Sequence, residues 1–285
     1  MPLRTAAAAL AVILGCGLGG WGPVSALAEV AKPDPGPLHE DVFVPALDAI
    51  CGRGRALQSG CAAIRARRVL PAETSPWRAI GRVNFASIGL RQHCTGTLIA
   101  DRWVLTAAHC LYNFPRKSWI PATSLRFAAG YQRGTAVAQA TVRRYITDPL
   151  QDPQSRDFRG GVAQDWALLE LEAPLGRDLG LLPLVETPQE GEAVALAGYA
   201  ALRPHVLTRA EDCGGWHWLA GGAVGLSHCA AMPGDSGAPM LVARQEGWAV
   251  AGLFSTIAVD GDGGTASLAV AVAAPARALR RALEE

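Results

Sequence analysis

The sequence predicts an all-β fold built from barrels. Short runs rich in β-branched and aromatic residues recur along most of the chain, each bounded by turn-forming residues. Helical patterning is confined to the C-terminal end, and strands with so few helices between them argue against a parallel α/β sheet. The 32 glycines and 19 prolines are scattered, as many short strands joined by turns require. A chain of 285 residues, half of them hydrophobic, suits one large domain or two modest lobes with a real core.

In chain order, the amino terminus reads first as an address. Arg4 supplies a positive start, Thr5 to Leu18 is apolar and small, and Ser25-Ala26-Leu27-Ala28 offers small residues before a cut. This order predicts a secretory signal peptide over residues 1–28. Gly15, Gly17, Gly19, Gly20, Gly22 and Pro23 interrupt the apolar run, which disfavours a membrane anchor, and no later segment has the length and apolarity of a span. The expected location is extracellular or periplasmic, with no stable membrane insertion once the signal is removed.

Residues 29–68 differ in character from the rest of the chain and are expected to form a propeptide. Glu29 to Pro37 holds three prolines and little to bury, and the cluster Arg65, Arg67, Arg68 before Val69-Leu70 suggests processing in an exposed segment. A solvated helix face is the alternative for that cluster. The main folded domain is then expected at 69–285, with one barrel over about 76–175 and another over about 185–275.

The expected strands are Arg78 to Phe85, Thr97 to Ile99, Trp103 to Thr106, Leu125 to Ala129, Ala136 to Tyr145 and Ala167 to Leu171. Ala193 to Ala197, Pro239 to Ala243, Trp248 to Phe254 and Ser267 to Val272 continue the style. Pro275 to Glu284 is the expected helix, with proline at its start.

Lys and Arg number 26 against 25 Asp and Glu. So even a balance gives no global attraction to nucleic acid, which is held by clustered positive charge. Once Cys16 leaves with the signal, six cysteines remain: Cys51, Cys61, Cys94, Cys110, Cys213 and Cys229. An even number in an exported chain favours disulfides. Fifteen pairings are possible, and nearness in sequence suggests Cys51 with Cys61, Cys94 with Cys110, and Cys213 with Cys229.

Three motifs carry the chemistry. In Thr106-Ala107-Ala108-His109-Cys110 a histidine follows an apolar strand, beside a cysteine able to pin the turn. That suits a general base, which needs a ring held still. Asp165 heads the almost wholly apolar Trp166 to Leu171. An unpaired carboxylate there would be costly, so a partner such as the His109 N–H is expected. Gly234-Asp235-Ser236-Gly237-Ala238-Pro239 offers a nucleophilic serine, with the N–H groups of Gly234 and Ser236 available for an oxyanion.

Together these motifs resemble the chymotrypsin/trypsin-like serine proteases, in that family's order His, Asp, Ser. The resemblance covers roughly residues 76–275. Gly198-Tyr199 and the Cys213 to Cys229 spacing look more like the bacterial, glutamyl-endopeptidase-like branch. It implies two antiparallel six-stranded Greek-key barrels, protein or peptide substrates, and no cofactor or metal. His109, Asp165 and Ser236 would form the triad. An α/β-hydrolase would need a histidine after its nucleophile, and the last histidine here is His228. A non-catalytic secreted relative and a hydrolase of small esters or amides stay open as alternatives.

The resemblance also locates a substrate pocket. Its floor would be Ala230 and Ala231, with Phe254 and Ser255 on the lining strand, which implies cleavage after small or medium uncharged residues. In family members made as zymogens, the residue equivalent to Asp235 pairs with an amino group freed by processing. Val69 could supply that group, although Val69-Leu70-Pro71 departs from the usual Ile-Val-Gly-Gly. Cys213, His217, His228 and Cys229 are zinc-like types, but a disulfide explains the cysteines more simply. Trp216 and Trp218 are expected to pack rather than line a groove.

Overall fold

The computed structural model describes residues 59–87, 90–259 and 265–284. The expected signal peptide, the stretch from Glu29 to Pro37 and the suggested Cys51–Cys61 pairing lie outside the described residues.

Helix α1 (Ser59–Ala66) leads into the two-residue strand β1 (Arg68–Val69). Strands β2 (Ile80–Ser87), β3 (Leu90–Ala100) and β4 (Trp103–Thr106) come next. A small hairpin, β5 (Tyr112–Asn113) with β6 (Ser118–Trp119), precedes β7 (Leu125–Ala129), β8 (Ala138–Thr147) and β9 (Ala167–Leu171). After helix α2 (Leu175–Leu179) come β10 (Val194–Gly198), β11 (Thr208–Ala210), β12 (His217–Leu219) and β13 (Val224–Ser227). Strands β14 (Pro239–Arg244), β15 (Gly247–Val259) and β16 (Thr265–Ala271) lead to helix α3 (Ala273–Glu284). The fold is therefore mostly β with a C-terminal helix.

The first lobe is a closed barrel in the order β2-β3-β4-β9-β8-β7. Closure removes the unpaired edges that an open sheet would expose. Every residue of β4 and β9 is buried, which explains why Trp103 to Thr106 and Ala167 to Leu171 read as continuous rather than alternating runs. Leu98, Leu105, Leu125, Phe127, Val142 and Leu168 fill its core with almost no exposure. Each such side chain contributes roughly 1.5–3 kcal/mol of transfer free energy.

The second lobe is an eight-stranded sheet ordered β1-β11-β10-β14-β15-β16-β13-β12. Six strands from β11 to β13 carry the short β1 and β12 on their edges. These edge strands exist through pairing alone, Val69 with Thr208 and Trp218 with Gly225, so no local pattern announces them. Trp216 is fully buried in the second apolar cluster, with the half-buried Trp218 ring set edge-on to it at 5.3 Å.

The basic cluster ahead of Val69 is not uniformly exposed. Arg65 and Arg68 face solvent, but Arg67 is only 5% accessible and Ile64 is fully buried in the second cluster. Packing thus begins before Val69, the expected start of the domain.

Candidate active site

His109 sits in a 3-10 turn, Ala108–Leu111, just after β4. Asp165 closes another 3-10 turn, Val162–Gln164, just before β9. Because β4 and β9 are antiparallel neighbours with Thr106 opposite Ala167, the end of one strand and the start of the other coincide. Strand pairing therefore brings together two residues that lie 56 apart in sequence.

The contact is close on both sides of the carboxylate. The His109 backbone N–H donates to Asp165 Oδ1 at 2.8 Å, and His109 Nδ1 lies 2.7 Å from Oδ2. An ionised carboxylate only accepts, so the ring proton is on Nδ1 and the lone pair of the neutral ring is on Nε2. Asp165 has no solvent exposure and His109 has 2%. Ser255 Oγ adds a third bond, donating to Oδ2 at 2.5 Å from the second lobe. A buried anion with three donors around it meets the condition for keeping charge out of water.

Ser236 occupies the loop between β13 and β14, and Thr95 of β3 ties that loop to the first lobe. The Thr95 N–H donates to the Ser236 carbonyl at 2.9 Å and its Oγ1 donates to the Gly234 carbonyl at 2.8 Å. That same hydroxyl accepts the Tyr199 N–H at 3.1 Å, while the Thr95 carbonyl takes the Thr106 hydroxyl at 2.8 Å. Cys94 and Cys110 are joined, as are Cys213 and Cys229. The first bridge holds the turn that bears His109, and Cys110 Sγ lies 3.9 Å from the Ser236 carbonyl.

Two glycines are required by this geometry. Gly234 has φ +95°, and a Cβ there would fall 2.3 Å from the Tyr199 carbonyl. Gly237 has φ +76°, and its Cβ would meet Thr106 Oγ1 at 2.3 Å. L side chains resist such positive φ values. Among the described residues the N–H groups of Gly234 and Ser236 donate to no protein acceptor.

Asp235, between them, is fully buried and held by Arg67. Nη1 donates to Oδ1 at 2.9 Å and Nη2 to Oδ2 at 2.8 Å, and Nη2 also reaches the Ala230 carbonyl. His93 stands beside this loop, its Nε2 donating to the Tyr199 carbonyl at 2.9 Å. Burial holds the His93 pKa below 6.5, and the nearby Arg82 charge adds to the effect. Burial likewise raises the Tyr199 phenol above its ordinary value.

Of the expected pocket residues, Ala231 and Phe254 share the second apolar cluster, with Ala230 packed against it. Ala230 and Ala231 precede the serine loop, with Ala231 fully buried. Phe254, on β15, is fully buried in that cluster, and its N–H donates to the Ala238 carbonyl. Ser255 turns to Asp165, because a buried carboxylate is the strongest acceptor within its reach. Of the zinc-like set, the two cysteines are bonded to each other and His217 Nδ1 meets Glu190 at the surface, 2.7 Å away. Sequence reasoning missed Thr95 and the side-chain role of Arg67. The sequence offered a freed Val69 amino group as the partner of Asp235, whereas the structure places Arg67 there.

Residues 68–279 match the family model described as Trypsin. The chain belongs to the trypsin-like serine protease family. It is 36% identical over 103 residues to human Transmembrane protease serine 5, covering 35% of this chain and 20% of that protein. Over 124 residues it is 30% identical to Trypsin of Simulium vittatum, covering 43% of this chain and 45% of that one. The chain thus spans less than half the length of these curated relatives. Among solved structures, a Glu endopeptidase in complex with MPD aligns with TM-score 0.61 at 21% identity, covering 77% of this chain and 97% of the other. That likeness concerns the fold of this trypsin-family chain.

Proposed function

We propose that this chain is an exported serine endopeptidase that works through an acyl-enzyme. Ser236 attacks the scissile carbonyl, while His109 accepts its proton and returns it to the leaving amine. Asp165 holds the imidazole in the reactive tautomer and stabilises the imidazolium. The N–H groups of Gly234 and Ser236 receive the oxyanion. The observation that carries the reading is the fully buried Asp165 taking both N–H groups of His109, within a trypsin-family chain.

Export, with a signal removed after Ala28, is supported by the amino-terminal pattern and by two disulfides, which persist in oxidising compartments. Cleavage after small or medium uncharged residues is supported by alanine at 230 and 231, where a site for Lys or Arg would want a carboxylate. Affinity to the bacterial branch rests on the Cys213 to Cys229 spacing.

The test is labelling with a fluorophosphonate probe, followed by peptide-library profiling. Wild type should label and cleave peptides, and Ser236→Ala should do neither while melting within about 0.5 kcal/mol of wild type. Labelling without peptide cleavage would redirect the reading to a small-ester or amide hydrolase. An unlabelled wild type, before and after proteolysis near Arg68, would make the chain a non-catalytic relative.

A further inference from the structure

Asp235 lies between the two residues whose N–H groups are assigned to the oxyanion, so its side chain controls how those groups point. Its carboxylate is fully buried, and both oxygens are occupied by one guanidinium, that of Arg67, 168 residues earlier. Oδ2 also accepts the Met232 N–H at 3.1 Å, which closes the turn ahead of Gly234.

Arg67 is held in place from both sides. Before it, Ile64 of α1 is buried in the second cluster. After it, β1 pairs with β11 and the Leu70 N–H donates to the Leu207 carbonyl at 3.0 Å. The Arg203 guanidinium donates to the Arg67 carbonyl at 2.8 Å and to the Arg65 carbonyl at 3.2 Å. A bidentate fork is the geometry for which arginine is suited and a single ammonium is not.

We propose that Arg67 is a positioning residue that supplies, from within the uncut chain, the cation that props Asp235 and the oxyanion loop. Resting on the proposed peptidase reading, this makes the enzyme competent with the 67–69 backbone intact. It revises the expected propeptide boundary at residue 68, because a cut there would sever Arg67 from the domain it serves. In the uncut chain Val69 is not the partner of Asp235: it lies on β1 paired with Thr208, its side chain exposed, and the bidentate contact to the carboxylate comes from Arg67.

The experiment uses the exported full chain, with mass spectrometry verifying that residues 65–69 are uncut. Fluorophosphonate labelling rate, kcat and KM are measured for wild type, Arg67→Met, Arg67→Lys and Arg68→Gln. Wild type should be active uncut. Arg67→Met should lose at least about 100-fold in kcat, the scale of losing one oxyanion donor, with KM changed far less. Arg67→Lys should recover part of that loss. Millimolar guanidinium ion should also restore part of the Arg67→Met activity, since a cavity of about 240 Å³ is lined by Arg67 and Ala230, with Arg209, Glu211 and Asp212 also on its wall. A merely structural arginine would show neither rescue.

Arg68→Gln keeps the test decisive if Arg67→Met fails to fold. It blocks a cut after residue 68 at an exposed side chain, 68% accessible, and leaves Arg67 untouched. Full activity of Arg68→Gln is expected. An inactive Arg68→Gln, or a wild type that gains activity only on cutting after Arg68, would overturn the inference, as would wild-type kcat in folded Arg67→Met. A wild type inert both cut and uncut would instead sink the peptidase reading itself.

Discussion

Asp165→Asn alters one side-chain position of a site whose hydrogen bonds are known atom by atom. Oδ1 accepts the His109 backbone N–H at 2.8 Å, and Oδ2 accepts from His109 Nδ1 at 2.7 Å and Ser255 Oγ at 2.5 Å. An amide has one oxygen and one NH2, and two orientations are open to it. If the NH2 faced the His109 backbone N–H, two buried donors would oppose each other, at a cost of about 1–3 kcal/mol for the unpaired group. The amide oxygen therefore stays on the backbone and the NH2 turns to the ring. It can then only donate to Nδ1, which forces the ring proton to Nε2, the position that must accept the proton of Ser236. Loss of the correct tautomer lowers kcat by about 10⁴-fold in Ser-His-Asp hydrolases, or about 5.5 kcal/mol of barrier. The fold should hardly notice, because two of the three bonds survive and one buried charge is gone. The assay is kcat on a peptide substrate beside the thermal midpoint of the same sample. A folded Asp165→Asn that kept more than about a tenth of wild-type kcat would refute the role given to Asp165.

Two other outcomes are expected. Thr95→Val keeps the side-chain shape but leaves the Gly234 carbonyl and the Tyr199 N–H without the hydroxyl. It should cost about 1–3 kcal/mol per orphaned group in urea unfolding, with a drop in kcat as the serine loop loosens; unchanged values for both would detach Thr95 from the site. His93 has a folded-state pKa below 6.5, first because of burial and then because of the Arg82 charge, with the hydrogen bond to the Tyr199 carbonyl and the Asp235 charge opposing them and His205 adding least. The unfolded chain binds more protons in the window from that lowered value up to 6.5. Stability from this group is complete above the window and is lost as pH falls through it. His93→Gln should flatten the decline of the urea midpoint between about pH 7 and pH 5, and an unaltered slope would assign the acid sensitivity elsewhere.

Much of this protein is legible before folding is considered. Trp103–Thr106, Leu125–Ala129 and Ala167–Leu171 are strands with the bounds their residues suggest, because barrel strands buried at nearly every position are mostly apolar. The setting of Asp165 was equally readable, since a carboxylate at the head of such a strand demands a donor, and His109 comes just after the neighbouring strand. What escaped was whatever depends on surfaces meeting. Strands of two or three residues such as β1 and β12 have no periodicity of their own. Ser255 reads as a pocket residue until the second lobe delivers it to Asp165 across 90 positions. Arg67 reads as one of three exposed cations until α1 and β1 dock and turn it inward to Asp235. Sequence alone determines which groups could react and which strands must be buried, because those depend on residue type and local spacing. Only the tertiary structure decides which cation meets the buried aspartate, because nothing about arginine 67 differs locally from arginines 65 and 68 except the surface it is folded against.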